Sequence, residues 1–390
     1  MNGDFHYYAT YCAAALAGFS HEEAQEICYS AQLVDHCTRT LLRKLDGPRS
    51  AATTQLQSEL ADARTDIVGL QDITRIWASF HFLPRDLNAD VDKGSRQYKE
   101  KYRLICGPNG KLMLDTVELA KGNGFEAIGL AMHVLADTWA HTYFAGTPSL
   151  VINNTDNHFF ELVPAKGNKF VRRPIVFGHN PAAKEDPETR SYTGSIYQAS
   201  ENSIMNLGHG RAGHLPDYSF IRYVYLPAWG DYKEIYKDNQ HDYLFAFAQM
   251  VYAMQYLNDL LPSFEQDTYA WDSIEPFREE IERIISVRRV DDSEDWKALG
   301  ESITGSEIRP FDLMQYQKEF ISAPEDQKYN DTYLGRFFTA ALAQKAMVAS
   351  RVAATGSKLM GIAAHDARKG FREIGDYRKA VENRNRSNRI

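Results

Sequence analysis

A chain of 390 residues can bury a large core, and its length suggests two or three domains, although one helical domain with a long extension fits as well. The hydrophobic share of 44% and charged share of 25% are those of an ordinary globular protein. A net charge of −8 excludes a whole-chain basic footprint for duplex DNA or an anionic membrane, leaving only local basic segments.

The opening, MNGDFHYY, has no basic stretch, and the apolar run Ala13 to Ala17 is too short for a secretory leader. No stretch reaches the length of a transmembrane span, so the expectation is a cytoplasmic protein; leaderless secretion leaves no readable mark. Asp4 to Gly18 predicts a helix capped by Asp4, with His6 in its first turn. A second helix is expected from Ser20 to Leu45, opened by the capping-box pair Ser20 and Glu23. It contains Asp35 and His36, and His36 diverges by about 100° from its neighbour, which makes it a bystander rather than a ligand. The four cysteines, Cys12, Cys28, Cys37 and Cys106, match no zinc-ribbon or CxxC spacing. Cys12 and Cys28 are expected to be small core residues.

His81 stands between Phe80 and Phe82, just ahead of the break at Pro84, and is expected at an element end. Lys111 to Ala120 predicts a helix, with Gly122 and Gly124 as the break before the next one. That next stretch, Gly129 to Gly146, is apolar, alanine-rich and free of proline, so it predicts a buried helix. His133, Asp137 and His141 follow one another at steps of four, about 40° apart, and form a polar ridge on it. Such groups are costly to bury without a partner, and a metal cation is the partner this ridge asks for. A hydrogen-bonded ladder between helices is the plainer alternative.

The region Thr147 to Thr193 is irregular, with extended segments expected at Phe159 to Val163 and Phe170 to Phe177, and with loop histidines His158 and His179. A helix at Tyr197 to Gly208 leads into GHGRAGHLPD, where His209, His214 and Asp217 crowd together between glycines. The aromatic stretch Tyr218 to Trp229 is expected to be core. His241 to Leu261 predicts an amphipathic helix, and further helices are expected at Ile274 to Val287, Asp312 to Ile321 and Thr332 to Leu359. The tail from Gly370 is basic.

The candidate ligands are His6, Asp35, His81, His133, Asp137, His141, His209, His214 and Asp217. All offer nitrogen or oxygen, which suits zinc, manganese or iron and argues against a closed thiolate site. Their number implies two or three clustered ions, with Asp137 central enough to bridge a pair. Such sites activate water and clamp both oxygens of a phosphate displacement, so the expected chemistry is hydrolysis of a phosphate ester, with Asp137 or Asp35 holding the ions or assisting as base.

A first-helix histidine, an aspartate, a lone histidine, then HxxxD followed by histidine and a later histidine-bearing segment together resemble the zinc-dependent phospholipase C and single-strand nuclease superfamily. The FHYY, VDH and FHFLP segments also look like an uncharacterised bacterial branch of it. The resemblance covers roughly residues 4 to 260. It implies an all-α, multi-helix fold with irregular loops and three zinc ions, with Asp137 bridging and with His209 and either His214 or Asp217 completing the second ion. Superfamily enzymes bind one zinc through the amine and carbonyl of an N-terminal tryptophan, whereas this chain begins with Met1. The expected organisation is a metal-binding helical catalytic domain at 1–262 and a helical C-terminal extension at 263–390 that binds a partner or a membrane surface. A lipid or small phosphodiester is the favoured substrate, with single-stranded nucleic acid also open. The alternatives are a non-catalytic helical metal-binding protein that engages a partner, and an antibacterial phospholipase-type toxin.

Overall fold

The computed structural model describes residues 1–89, 96–166, 169–178, 185–194 and 204–361. A π-helical turn, Phe5–Ala9, runs into α1 (Thr10–Leu16) and is followed by α2 (His21–Leu33), α3 (Arg39–Lys44), α4 (Gln57–Ala63) and α5 (Ile67–Phe80). Next come α6 (Arg96–Tyr102), α7 (Lys111–Ala120), α8 (Gly124–Ala140) and the short α9 (Leu150–Asn153). Six strands then precede α10 (Asn239–Leu257), α11 (Trp271–Ile274), α12 (Arg278–Ser286), α13 (Ser293–Thr304), α14 (Gln317–Ser322), α15 (Lys328–Asp331) and α16 (Tyr333–Ala354).

The expectation of an all-α fold is corrected here. The protein is 54% helical and mixed α/β. Strands β1 (Phe160–Ala165), β2 (Lys169–Pro174), β5 (Arg222–Tyr225) and β6 (Ile235–Asp238) form an antiparallel sheet in the order β2-β1-β5-β6. A parallel pair joins β3 (Val176–Gly178) to β4 (Ser191–Thr193). The aromatic stretch did become core, but as a strand: Tyr223 and Tyr225 point inward from β5 and pack with Phe144, Phe159 and Tyr218 in a second apolar cluster. Alternating aromatic and β-branched residues fit a pleated surface better than a helix.

Helix α8 is the axis. Every residue from Glu126 to Ala140 is buried, and α2, α7, α10 and α16 surround it. Gly129 permits the closest of these approaches, because a Cβ there would collide with the carbonyl oxygen of Ile27 on α2. Ser30 Oγ then donates to the carbonyl of Glu126 at 2.5 Å. The main apolar core is continuous from Met1 to Met360, so α12, α13 and α16 share it with the N-terminal helices. All four cysteines are buried and free.

The helix expected over Ser20 to Leu45 is interrupted. Its capping box forms, with Ser20 N donating to Glu23 Oε2 at 2.8 Å, but α2 ends at Leu33. Thr38 caps the separate helix α3 by accepting from Leu41 N at 3.1 Å. The residues between make a turn, and Asp35 lies on it. Over Asp312 to Ile321 only the second half is helical, whereas Thr332 to Leu359 forms the single helix α16 behind a Thr332 cap. Most of the stretch from Tyr197, together with His179 and the basic tail, lies outside the described residues. Among the described residues, no helix is long and apolar enough to cross a membrane.

Candidate metal centre

Five separate pieces of backbone deliver the candidate ligands to one place. Helix α8 carries His133 and Asp137 on one face, and His141 is its C-cap. His81 is the C-cap of α5, at an element end as its proline-marked context implied. Asp35 comes from the turn after α2, and His6 from the π-helical turn, whose preceding residue Asp4 accepts from Phe5 N at 2.8 Å. His209 and Asp217 come from the glycine-rich loop. There Gly213 holds φ +57°, a left-handed conformation suited to glycine, and its carbonyl turns back toward His209.

Asp137 is the centre of the cluster and 1% exposed. Its Oδ1 lies 2.6 Å from the Met1 amine and 3.2 Å from His6 Nε2. Its Oδ2 lies 3.2 Å from both His81 Nδ1 and His133 Nε2. Asp35 Oδ1 stands 3.8 Å from His81 Nδ1 and 3.9 Å from His133 Nε2. On the other side, His141 Nε2 is 3.1 Å from Asp217 Oδ1, and His209 Nε2 is 3.5 Å from Asp217 Oδ2. Three potential ion-holding groups result: His6, His133 and Asp137; Asp35, His81 and His133; His141, His209 and Asp217.

The outer nitrogens of the histidines decide what the inner ones can do. His133 Nδ1 donates to the Ala31 carbonyl at 2.9 Å, and His81 Nε2 to that of Thr53 at 3.1 Å. His141 Nδ1 donates to the His81 carbonyl at 2.6 Å, and His209 Nδ1 to that of Gly213 at 2.7 Å. A carbonyl oxygen only accepts, so each of these contacts takes one ring N–H and turns the other ring nitrogen inward, where it is free to accept or to ligate when unprotonated. His81 Nδ1 and His133 Nε2 then face one another at 3.3 Å, each also 3.2 Å from a carboxylate oxygen. Two inward nitrogens and a carboxylate oxygen this close together need a proton or a metal ion between them. His6 supports the same conclusion, because it is 0% exposed, its Nδ1 has no hydrogen-bond partner, and its Nε2 faces only Asp137 Oδ1. Back-tied imidazoles of this kind are the usual second layer of a metal site.

The electrostatics also suit a cation. Burial opposes ionisation of Asp137, but His141, the Met1 amine and His133 hold its carboxyl well below the usual carboxylate range. Asp217 is likewise held well below it against burial, chiefly by His209 and the Met1 amine. Burial also works against the charge on Asp35, yet His133, His6 and His81 outweigh it and lower its pKa. Burial, reinforced by His133, pushes His6 down to about 4, and burial takes His209 to about 4 as well. The centre therefore presents three ionised carboxylates, with His6 and His209 kept neutral by burial, protonation states that metal binding requires.

The DUF6765 family model matches residues 1–352. The chain belongs to this family of unknown function. No curated protein and no solved structure matches it. The match takes in all nine sequence-derived candidates of this DUF6765 chain, and eight of them fall within the three groups. The ninth, His214, lies outside: its side chain is 59% exposed and its Nδ1 lies 3.0 Å from Asp217 Oδ2, which raises its pKa. Of the alternatives His214 and Asp217, it is Asp217 that faces the cluster. His36 is a bystander, its Nε2 lying 3.2 Å from Gln32 Nε2 and its ring stacked on Phe311. His158 pairs with Glu234 at the surface.

Side-chain motifs missed one participant. The Met1 amine is buried between Asp137 and Asp217, 2.6 Å and 3.3 Å from their oxygens, and 3.3 Å from His141 Nε2. Burial alone would lower its pKa, but the two carboxylates raise it to about 10. The residues around it are anchored from far along the chain: Asn2 Nδ2 donates to the Val290 carbonyl at 2.9 Å, and Asp292 N donates to Asp4 Oδ2 at 2.8 Å. The resemblance raises an N-terminal amine as a zinc ligand, but the methionine in place of tryptophan reads as a departure from it. Next to this segment a cavity of 490 Å³ opens, lined among others by Asp4, Tyr7, Gln32, His214, Tyr218 and Phe311.

Proposed function

We propose that this protein is a metal-dependent hydrolase of phosphate esters, acting on a lipid or another small phosphodiester. The observation that carries the reading is the ring of histidines whose outer N–H groups are tied to backbone carbonyls while their inner nitrogens face three carboxylates. His6 and Asp137, with the Met1 amine once it gives up its proton, would hold one ion; Asp35, His81, His133 and Asp137 a second; His141, His209 and Asp217 a third. Zinc suits this nitrogen and oxygen set best, with manganese or iron next. Clustered divalent ions lower the pKa of water and neutralise the charge that builds on a phosphoryl group during in-line displacement.

The chain's own groups supply the rest. Asp35 is ionised, and its side chain, at 33% exposed, is the most open of the ligand carboxylates. It is the group suited to accept a proton from an attacking water. Asp137 is too enclosed for that task and instead fixes the spacing of the ions it adjoins. The neighbouring cavity, walled by Tyr7, Tyr218 and Phe311, suits the organic part of a small diester better than a long polyanion. The resemblance of the ligand order to the zinc phospholipase C superfamily supports the same reaction class.

The test is hydrolysis of bis(p-nitrophenyl) phosphate and of a short-chain phospholipid by the full chain loaded with zinc or manganese. Turnover should disappear on chelation, return on metal addition, and be lost in His133→Ala while circular dichroism stays unchanged. A folded, metal-filled protein that is inert toward both substrates and toward single-stranded DNA would make the centre structural and the reading wrong.

A further inference from the structure

The β1–β2 hairpin ends the sheet in an edge that no other described strand covers. All six residues of β2, Lys169–Pro174, are exposed. In the antiparallel register Phe170 lies opposite Pro164 and Arg172 opposite Leu162 on one face, while Val171 lies opposite Val163 on the other. Phe170 is 48% exposed, Val171 42%, and Val176 just beyond the strand 58%. An open, apolar edge strand is a hazard that proteins commonly blunt with charge, and this one carries a specific pattern of it. Arg172 is committed to Glu234 through two bonds of 2.6 Å. Lys166, Lys169 and Arg173, in contrast, form no ion pair among the described residues. Arg173 lies opposite Glu161, but that carboxylate is claimed by Arg288 and Arg190. In a chain of net charge −8, the hairpin is a local cationic and apolar projection.

We propose that the β1–β2 hairpin is an interfacial anchor for a bilayer rich in anionic headgroups. The open edge enters the headgroup region side-on, so that Phe170 from one face and Val171 from the other both reach the boundary with the acyl chains, while Lys166, Lys169 and Arg173 pair with lipid phosphates. Two other occupants fit less well. A nucleic acid would reward Phe170 by stacking but gives the aliphatic Val171 and Val176 nothing. A second copy added edge to edge in antiparallel register would set Lys169 and Arg173 against their like. The inference is independent of the proposed hydrolysis and concerns where the protein sits rather than what it cleaves.

The experiment is cosedimentation of the full chain with sucrose-loaded vesicles of pure phosphatidylcholine and of phosphatidylcholine with phosphatidylglycerol, in low and high salt. Because these side chains are exposed, the double variant Lys169→Glu, Arg173→Glu and the single variant Phe170→Ser should fold like the wild type, which circular dichroism checks. Binding is expected to the anionic vesicles alone and to weaken with salt. Each basic residue lost should lower partitioning about fivefold, so the double variant, which also adds two repelling acids, should bind more than about 25-fold more weakly. Phe170→Ser should also bind more weakly, at unchanged charge. Absence of binding, or binding that neither variant alters, would overturn the proposal. So would retention of an oligonucleotide, or dimerisation, that is lost with the same substitutions while vesicle binding persists.

Discussion

Asp137→Asn is the sharpest test of the centre, because it keeps the shape of the side chain and removes its charge. One oxygen of Asp137 adjoins the Met1 amine and His6, and the other adjoins His81 and His133. The variant should therefore lose the two ions proposed at those oxygens and retain the one held by His141, His209 and Asp217. A bound ion stabilises the fold by about 4 kcal/mol when its free concentration exceeds the dissociation constant a thousandfold. At about 2.1 cal/mol/K of unfolding entropy per residue, a chain of 390 residues melts about 5 °C higher for each such ion. The loss of these two ions alone should then lower the melting temperature of the loaded variant by about 10 °C, with elemental analysis falling from three equivalents to one. In the metal-free proteins the variant should still be weaker, by about 3–5 kcal/mol, because the buried Met1 ammonium loses its nearest counter-charge. Calorimetry with and without chelator, beside elemental analysis, reads both effects. A wild-type melting temperature unmoved by chelation, or equal metal content in the two proteins, would refute the reasoning and leave a hydrogen-bonded ladder.

Acidification should destabilise the metal-free protein between pH 6.5 and about 4, because His6 and His209 remain neutral when folded to about 4 but take up protons near 6.5 once unfolded. Stability rises with pH across that window; the fully buried His6 alone contributes about 3 kcal/mol, and urea titrations at several pH values would measure it. Gly129→Ala forces a methyl into the Ile27 carbonyl and should cost at least about 2 kcal/mol, with lower metal content because Ala31, which holds His133 Nδ1, lies on the displaced helix. A tag placed directly before Met1 turns its amine into a peptide nitrogen within a buried cluster, and should remove one equivalent of metal that proteolytic release of the tag restores. Arg288→Ala strips the buried Glu161 of its bidentate partner and should lower the melting temperature with no change in metal content, Arg190 remaining 3.3 Å away as a partial substitute.

The ridge of His133, Asp137 and His141 was legible because helix geometry is fixed: a step of four puts residues on one face whatever surrounds them. His81 was legible through the proline that follows it. The hairpin was legible too, as the extended segments at Phe159 to Val163 and Phe170 to Phe177, which became β1, β2 and β3. The rest of the sheet was not, because β5 and β6 are only four residues long and give too little alternation to detect. The break after Leu33 was also hidden, since neither glycine nor proline lies between Leu33 and Thr38 and the interruption depends on a threonine cap. Least visible were the backbone partners. The carbonyls of Ala31, Thr53 and Gly213 determine which imidazole nitrogen faces inward, yet every residue type carries a carbonyl. The Met1 amine was set aside because the resemblance looked for a tryptophan there, although a backbone amine acts whatever side chain stands beside it.

The anchoring of the first residues by the loop before α13 also has a consequence in time. The hydrogen bond from Asp292 to Asp4 joins positions 288 residues apart, and that from Asn2 to Val290 the same number. A ribosome adding about 5–20 residues per second needs roughly 15 to 60 seconds to span that gap. Through the second half of that interval α8 and its ridge are already synthesised, while the Val290 and Asp292 contacts that anchor the first residues are not. Assembly of the centre is then a late event of biogenesis, and a ribosome stalled before residue 292 would display the histidines of α8 without the N-terminal segment that completes them.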